Sequence, residues 1–127
     1  MSKAIEWDGI LTCPMETKNI NNAIKWYEEV LGFELMYKVD EIGWCELKTP
    51  INNVHLGLSQ VESPKVEGGA TLTFGVKDVE AAKARVDAHQ VKTDGDIVVY
   101  PGMVKLLTFY DPDGNKLMFA EDISPKV

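Results

Sequence analysis

Asn19-Ile20-Asn21-Asn22-Ala23 and Asp78-Val79-Glu80-Ala81-Ala82 are two copies of one helix entry, placed 59 residues apart. Each copy starts with a side chain, Asn19 or Asp78, whose oxygen can accept a hydrogen bond from the first turn of a helix. The same offset carries Thr12 onto Thr71. The chain therefore reads as one pattern written twice, over about 5–60 and about 69–122. Two equivalent half-units favour a ligand site in the groove between them.

Apolar periodicity predicts one helix in each copy. The first helix is expected from Ile20 to about Leu31 and ends at Gly32; its apolar stripe consists of Ile20, Ala23, Ile24, Tyr27 and Leu31. Because Tyr27 lies on this stripe, we interpret it as a core residue and not as a catalytic one. The second helix is expected from Val79 to about His89, and His89 is interpreted as a solvated residue at the helix end.

Short apolar runs between turn residues predict the remaining elements as strands. They fall at 10–13, 33–39, 43–48, 54–58, 70–76, 92–100, 104–110 and 116–121. The resulting order is βαβββ followed by βαβββ, with a linker over 63–69. The run Asp111-Pro112-Asp113-Gly114-Asn115 predicts a tight turn, in which Gly114 supplies positive φ and the Asp side chains bond the backbone. A calcium loop would need further spaced ligands, which are lacking.

Composition limits the classes of function. At 127 residues, with 45% hydrophobic and 26% charged residues, the chain fits one ordinary globular domain over 1–127. The net charge is −7 and Arg85 is the only arginine, so the chain lacks the basic surface that nucleic acid requires. No apolar run is long enough to span a membrane, and the N-terminus has no signal-peptide core. We therefore expect a cytoplasmic protein in which Cys13 and Cys45 are reduced and buried.

Three stretches resemble one protein superfamily. Asn22-Ala23-Ile24-Lys25-Trp26-Tyr27-Glu28-Glu29-Val30-Leu31-Gly32-Phe33 resembles the first helix and following turn of the vicinal oxygen chelate group, which comprises glyoxalases, bleomycin-resistance proteins and extradiol dioxygenases. Val76-Lys77-Asp78-Val79 resembles the entry into its second helix, and Phe109-Tyr110-Asp111-Pro112-Asp113-Gly114-Asn115 its final hairpin. The resemblance covers nearly the whole chain. It implies an α+β fold in which two βαβββ modules form a curved mixed sheet with a central cup.

The resemblance also implies where a divalent metal would bind. Enzymes of this superfamily usually hold Zn, Ni, Fe or Mn through His and Glu on the first and last strands of each half. Those positions fall on Thr12 and Thr71, and on His55 and Met118. Only His55 is a plausible ligand, so we predict no metal and no other cofactor. A one-residue shift in strand register would bring Glu16, Glu46 or Glu121 within reach and would leave a divalent metal as the minority alternative.

Without a metal, the cup would be a small-molecule site. Its expected lining combines hydroxyls, aromatic rings, a thioether and one imidazole, from Thr12, Trp44, His55, Thr71, Tyr100 and Met118, with some of Tyr37, Glu46, Thr73 and Thr108. The leading hypothesis is a module that binds a small, partly hydrophobic or aromatic molecule. The alternative is an enzyme (a lyase, an isomerase or a dioxygenase), either metal-dependent or using His55 as general acid–base with Glu46 orienting it.

A third hypothesis is a structural or regulatory partner in a larger assembly. For every hypothesis we expect a homodimer that binds neither nucleic acid nor a membrane. The sequence leaves open whether a cup would form within one chain or by exchange between two chains.

Overall fold

The computed structural model describes Glu6 and residues 8–125. The predicted start of the first repeat at Ile5 lies outside the described residues. The chain divides into two compact units, 1–64 and 65–127. No helix in the described part of the chain is long and apolar enough to cross a membrane.

The first unit is a four-stranded sheet with one helix packed against it. Its elements are β1 (Leu11–Thr17), α1 (Ile20–Trp26), a π-helical turn (Tyr27–Leu31), β2 (Glu34–Val39), a 3₁₀ turn (Asp40–Ile42), β3 (Trp44–Lys48) and β4 (Val54–Gln60). The strand order is β1-β4-β3-β2. The outer strand β1 runs parallel to β4, whereas the other neighbours are antiparallel.

The second unit repeats this plan. Its elements are β5 (Leu72–Gly75), α2 (Val79–Ala88), β6 (Val98–Tyr100), β7 (Val104–Tyr110) and β8 (Lys116–Asp122). The strand order is β5-β8-β7-β6, again with the first strand parallel to the last. The predicted α+β class and the repeated βαβββ order are therefore confirmed.

Three strand predictions are wrong in extent by three residues or more. The strand predicted over 70–76 spans only Leu72–Gly75. The strand predicted over 92–100 is confined to Val98–Tyr100, because Gly95 has φ +76 and interrupts the extended chain; Thr93 makes only an isolated bridge to Phe109. The first strand extends to Thr17 instead of ending at Cys13. Pro14 is tolerated within it because β1 lies at the sheet edge, where one side of the strand needs no donor.

The core of each unit lies between its helix and one face of its sheet. In the first unit, Tyr27 is fully buried as predicted and its hydroxyl contacts the sulfur of Met15 at 3.5 Å. Val30, and not Leu31, is the buried residue of the next turn. The reason is the wider π turn over Tyr27–Leu31, in which α-helical periodicity no longer identifies the inward face.

Both helices begin with a double cap. The side chains of Asn19 and Asp78 accept from the third residue beyond them, Asn22 N at 3.0 Å and Ala81 N at 3.1 Å. A second cap comes from the end of the last strand of the same unit. Gln60 Oε1 accepts from Ile20 N at 2.8 Å, and Glu121 Oε1 accepts from Val79 N at 2.8 Å. Two otherwise unsatisfied donors of each first turn are thereby bonded.

The predicted tight turn at Asp111–Asn115 is confirmed. Asp111 is 5% exposed, and its Oδ1 accepts from the backbone nitrogens of Asp113 at 2.9 Å and Asn115 at 2.8 Å. Its Oδ2 accepts from Asn115 Nδ2 at 2.9 Å, and Gly114 has φ +91. The carboxylate therefore serves the turn itself, which is the role that the sequence predicts.

Candidate functional site

Strand alternation assigns two sets of side chains to the first sheet. Cys45, Leu47, Leu56 and Leu58 are buried on the face that α1 covers. The intervening residues project from the opposite face, here called the far face of the first sheet. It carries Thr12, Tyr37, Trp44, Glu46, Lys48, His55 and Gly57. The sequence alone does not assign these strand positions to a face, but the register places Trp44 and Glu46 on the same face as His55.

The six-membered ring of Trp44 packs against the backbone of Gly57 on this far face. A Cβ atom built on Gly57 would come within 2.1 Å of Trp44 Cη2 and 2.6 Å of Cζ2. Only glycine leaves room for the indole in this position. The ring is fixed at its other end, since Trp44 Nε1 donates to Tyr37 Oη at 3.3 Å.

Tyr37 reaches the far face because β2 contains a bulge. Leu35 pairs with Leu47 and Tyr37 with Glu46, so two steps along β2 match one step along β3. Residues two apart in a regular strand share a face, and the extra residue Met36 reverses this relation. Tyr37 Oη then donates to Glu46 Oε1 at 2.8 Å.

Glu46 and His55 form a direct pair beside Tyr37. His55 Nδ1 lies 2.9 Å from Glu46 Oε2, and each side chain is 14% exposed. Glu46 thus uses one carboxylate oxygen for the tyrosine and the other for the imidazole. The two residues predicted as an acid–base pair are brought together on one face.

The remaining predicted residues lie at separate positions. Thr12 is directly opposite His55 across β1 and β4. In the second unit Met118 lies between Thr73 and Thr108, so the residue paired with it is Thr73 and not Thr71, which precedes β5. Tyr100 belongs to the outer strand β6 and is half exposed.

Equivalent positions of the two units are not separated by one constant number of residues. The distance along the chain from the helix entry to the end of the last strand differs between the units. The equivalent caps Gln60 and Glu121 are 61 residues apart, whereas the helix entries at Asn19 and Asp78 are 59 apart. The repeat therefore gains two residues between the helix and the end of the last strand. The predicted first-strand and last-strand positions are therefore paired in the first unit, as Thr12 and His55, but not in the second, where Met118 pairs with Thr73.

The metal-ligand positions that the resemblance implies for the first unit, Thr12 and His55, lie opposite each other on β1 and β4. His55 has Glu46 as a neighbour, but its cross-strand partner is Thr12, whose neutral hydroxyl is a poor ligand for Zn, Ni, Fe or Mn. Within Glu6 and 8–125, three potential ligands converge only at Asp78, Glu80 and Glu121.

This acidic cluster is accounted for by structural contacts. Asp78 and Glu121 cap α2, and Glu80 accepts from Lys105 Nζ at 3.0 Å. Glu121 therefore lies on the helix side of its sheet and is occupied as a cap, so a shift in register does not make it a ligand on the opposite side.

Neither cysteine is an activated nucleophile. Cys45 is fully buried and Cys13 half-buried, and both are free thiols. Burial raises the pKa of the Cys45 thiol to about 11, although Lys38 directly across the strand opposes this rise. Burial also raises the pKa of Cys13. The prediction that both thiols are buried holds fully for Cys45 and only in part for Cys13.

Sequence reasoning missed Gly57 and the double caps. An isolated glycine within the strand Val54–Gln60 is a signal for close approach of another group, and it could have indicated the Trp44 contact. Gln60 gives no such signal, since a single polar residue at a strand end has many roles.

Comparison with known proteins identifies the family. The sequence model of the Glyoxalase/Bleomycin resistance protein/Dioxygenase superfamily matches residues 9–119. The chain belongs to this superfamily. It is 26% identical over 119 residues to a lactoylglutathione lyase of Oryza sativa subsp. japonica, a match that covers 82% of this chain and 41% of that protein. The chain thus spans less than half the length of this relative.

Solved structures share the fold at low sequence identity. A superfamily member from Sphaerobacter thermophilus DSM 20745 has a TM-score of 0.78 and 18% identity, covering 93% of this chain and 98% of that one. TnmS3, an antibiotic binding protein from Streptomyces sp. CB03234, has a TM-score of 0.74 and 23% identity, covering 95% and 99%.

Proposed function

We propose that this protein binds a small, partly hydrophobic or aromatic molecule on the far face of its first sheet, without the metal ligands usual in its superfamily. The observation that carries the proposal is the Trp44 ring held against Gly57. An indole fixed at both ends gives a flat apolar surface at little entropic cost, on which a planar ligand can stack. Beside it, the His55–Glu46 pair offers a polar group for orientation.

The similarity to TnmS3 is in keeping with this proposal, since that protein is an antibiotic binding protein. The match to a lactoylglutathione lyase supports the second candidate, an enzyme of the lyase or isomerase class. The specific observation that favours an enzyme is the 2.9 Å contact between His55 Nδ1 and Glu46 Oε2, because an imidazole oriented by a carboxylate can act as a general acid–base.

The test of binding is a fluorescence and thermal-shift screen of aromatic small molecules. A ligand that binds the native state raises the melting temperature, and the rise grows with the logarithm of ligand concentration above the dissociation constant. Trp44→Leu should abolish the shift given by any hit, whereas Tyr110→Leu, which removes an aromatic ring from the second sheet, should leave it unchanged. Equal loss in both variants would contradict the assignment to the first sheet, and an unaffected Trp44→Leu variant would contradict the stacking role.

The metal question is answered by elemental analysis of the purified protein, with thermal shifts against Zn, Ni, Fe and Mn salts. We expect no stoichiometric metal and no saturable stabilisation. A bound metal that is lost in His55→Ala would overturn the metal-free proposal and favour the metal-dependent enzyme.

We further propose that the protein is a cytoplasmic homodimer. The free thiols of Cys13 and Cys45 suit a reducing compartment. Apolar side chains on the outer strand β6, namely Val98, Val99 and Tyr100, are each 50% exposed and are available for contact with a second copy.

A further inference from the structure

The hydrogen bonds around Glu46 run in one direction only. The indole N–H of Trp44 can only donate, so Tyr37 Oη accepts from it and directs its own hydrogen to Glu46 Oε1. An ionised carboxylate only accepts, and Glu46 Oε2 therefore receives a hydrogen from His55 Nδ1. The proton of neutral His55 is thereby fixed on Nδ1. The second ring nitrogen, Nε2, then carries a lone pair and is a hydrogen-bond acceptor.

The Nε2 atom is available to a ligand. His55 is 14% exposed, and within Glu6 and 8–125 its hydrogen bond to Glu46 uses Nδ1 and leaves Nε2 unbonded. A lone pair presented beside an aromatic surface selects a ligand with a donor group and not one with a bare carbonyl. A lysine or an amide nitrogen at the same place would donate a hydrogen bond and would therefore favour a ligand with an acceptor such as a carbonyl.

We infer that the ligand is a planar molecule with an acidic hydroxyl, a phenol or an enol, which gives its proton to His55 Nε2. The inference rests on the proposed function, because it assigns the chemistry of the ligand on that same face. The O–H bond of the ligand breaks and an N–H bond forms at Nε2, with no change of oxidation state. The resulting imidazolium stays bonded to the Glu46 carboxylate, and the ring of the ligand anion stacks on Trp44.

One cationic side chain, Lys48, lies beside His55 on the far face, and its other cross-strand neighbour is Glu34 on β2. Lys48 is directly opposite His55 on β3, which places their Cβ atoms about 5 Å apart on the same face. Glu46 is committed to Tyr37 and His55. Glu16, on the same face of β1, is opposite Ser59, four residues along β4 from His55.

Two probes of matched shape test the inference. Para-nitrophenol carries the acidic hydroxyl, whereas para-nitroanisole replaces its hydrogen by a methyl group. Binding is measured by equilibrium dialysis, and proton transfer by the visible absorbance of nitrophenolate at a pH below the pKa of the free phenol. We expect the phenol to bind at least about tenfold more tightly and to show the phenolate band, because a hydrogen bond to a charged partner is lost with the ether.

Glu46→Gln is the decisive variant, and Glu41→Gln is its control. Both remove one carboxylate, but Glu41 is exposed in the 3₁₀ turn between β2 and β3 and is not a member of the hydrogen-bonded chain from Trp44 to His55. The amide nitrogen introduced by Glu46→Gln would compete to donate to Nδ1, and the proton of the imidazole would then move to Nε2. Glu46→Gln should lose the phenolate band and the preference for the phenol while still binding the ether. Glu41→Gln should behave as the wild type.

Nitrogen NMR of the imidazole gives a reading that needs no ligand. His55 should show its hydrogen on Nδ1 in the wild type and lose this preference in Glu46→Gln, with the exposed His89 as internal reference. Equal binding of both probes without a phenolate band, or a hydrogen on Nε2 in the wild type, would overturn the inference and leave aromatic binding intact. Binding of neither probe would remove the proposed function from this face as well.

Discussion

Gly57 is the residue on which the candidate binding surface depends most directly. Replacement by alanine places a methyl group where the edge of the Trp44 ring lies, at 2.1 Å from Cη2. Because Trp44 is on the half-buried far face, its ring can swing away instead of distorting the core. The substitution is therefore expected to weaken ligand binding on the far face and to leave the folded core intact.

Gly57→Ala should lower the affinity for an aromatic ligand by about tenfold or more, while the free energy of unfolding changes by no more than about 1 kcal/mol. Tryptophan fluorescence and denaturant titration measure the two effects. Gly75→Ala is the matched control, since Gly75 is also a strand glycine but its added Cβ meets nothing within 4 Å. An unaltered affinity in Gly57→Ala would contradict the role given to Trp44.

Cys45 gives the protein a defined sensitivity to alkali. Its pKa is 9.0 in the unfolded chain and about 11 in the folded protein, since burial disfavours the thiolate. A raised folded pKa leaves stability untouched below pH 9 and lowers it as the pH rises toward 11, because the unfolded chain ionises first. The wild type should lose about 2–3 kcal/mol more than Cys45→Ala over this interval.

Urea titrations of both proteins below pH 9 and at pH 11 measure this difference, and the lysines and tyrosines that also titrate there cancel in the comparison. Cys13→Ala, at the half-buried thiol, should follow the wild type more closely. Parallel pH profiles for the wild type and Cys45→Ala would show that the Cys45 thiolate is tolerated in the fold.

At the scale of elements, the second cap of each helix explains the position of Glu121. The sequence alone allows this carboxylate to be a metal ligand, whereas in the structure it caps α2. Glu121 and Gln60 make the same hydrogen bond at the same distance, 2.8 Å, in equivalent places of the two units. An amide oxygen therefore suffices for the contact. The extra charge of Glu121 lies close to Asp78 and Glu80, where like charges repel.

Glu121→Gln should keep the cap and leave stability unchanged or raised by up to about 0.5 kcal/mol, whereas Glu121→Ala should cost about 1 kcal/mol. Thermal unfolding measures the stability of both variants. Gln60→Ala, which removes the equivalent cap of α1, is measured with them for comparison. If Glu121→Gln were as damaging as Glu121→Ala, the carboxylate would have a role beyond capping.

The turn at Asp111–Asn115 is a second element whose stability rests on one carboxylate. Asp111→Ala leaves two backbone donors and one amide donor without their acceptor in a site that is 5% exposed. We expect a loss of about 2–4 kcal/mol by urea titration. Asp113→Ala, on the same turn, should cost under about 1 kcal/mol; equal losses would show that the turn depends on charge alone.

The helices, five of the eight strands and the closing turn follow from local signals in the sequence. Capping residues, apolar periodicity and turn residues are short-range, and Asn19, Gly32 and Gly114 each act on their own neighbours. The contacts of the candidate site are long-range. Tyr37 reaches Glu46 through the bulge at Met36, and no residue type marks where one strand gains an extra residue.

At the scale of the whole molecule, the exposed apolar residues of β6 motivate a prediction about assembly. Sedimentation equilibrium should give twice the single-chain mass of 14.1 kDa. Val99→Lys places a charge on the outer strand and should weaken the dimer by about tenfold or more. Ile42→Lys, at a residue 70% exposed in a turn of the first unit, is the control and should remain dimeric. A monomeric wild type would contradict the prediction.

The double cap has a consequence for the order of events during synthesis. The second acceptor for the start of α1 comes 40 residues later in the chain, on Gln60, and that for α2 comes 42 residues later, on Glu121. The same late strand also pairs with the first strand of its unit. A nascent chain halted before Gln60 therefore holds α1 with one cap and β1 without its neighbour. Each half becomes complete only when its own last strand has emerged from the ribosome, so a pause in translation beyond Gln60 would favour folding of the first half before the second is made.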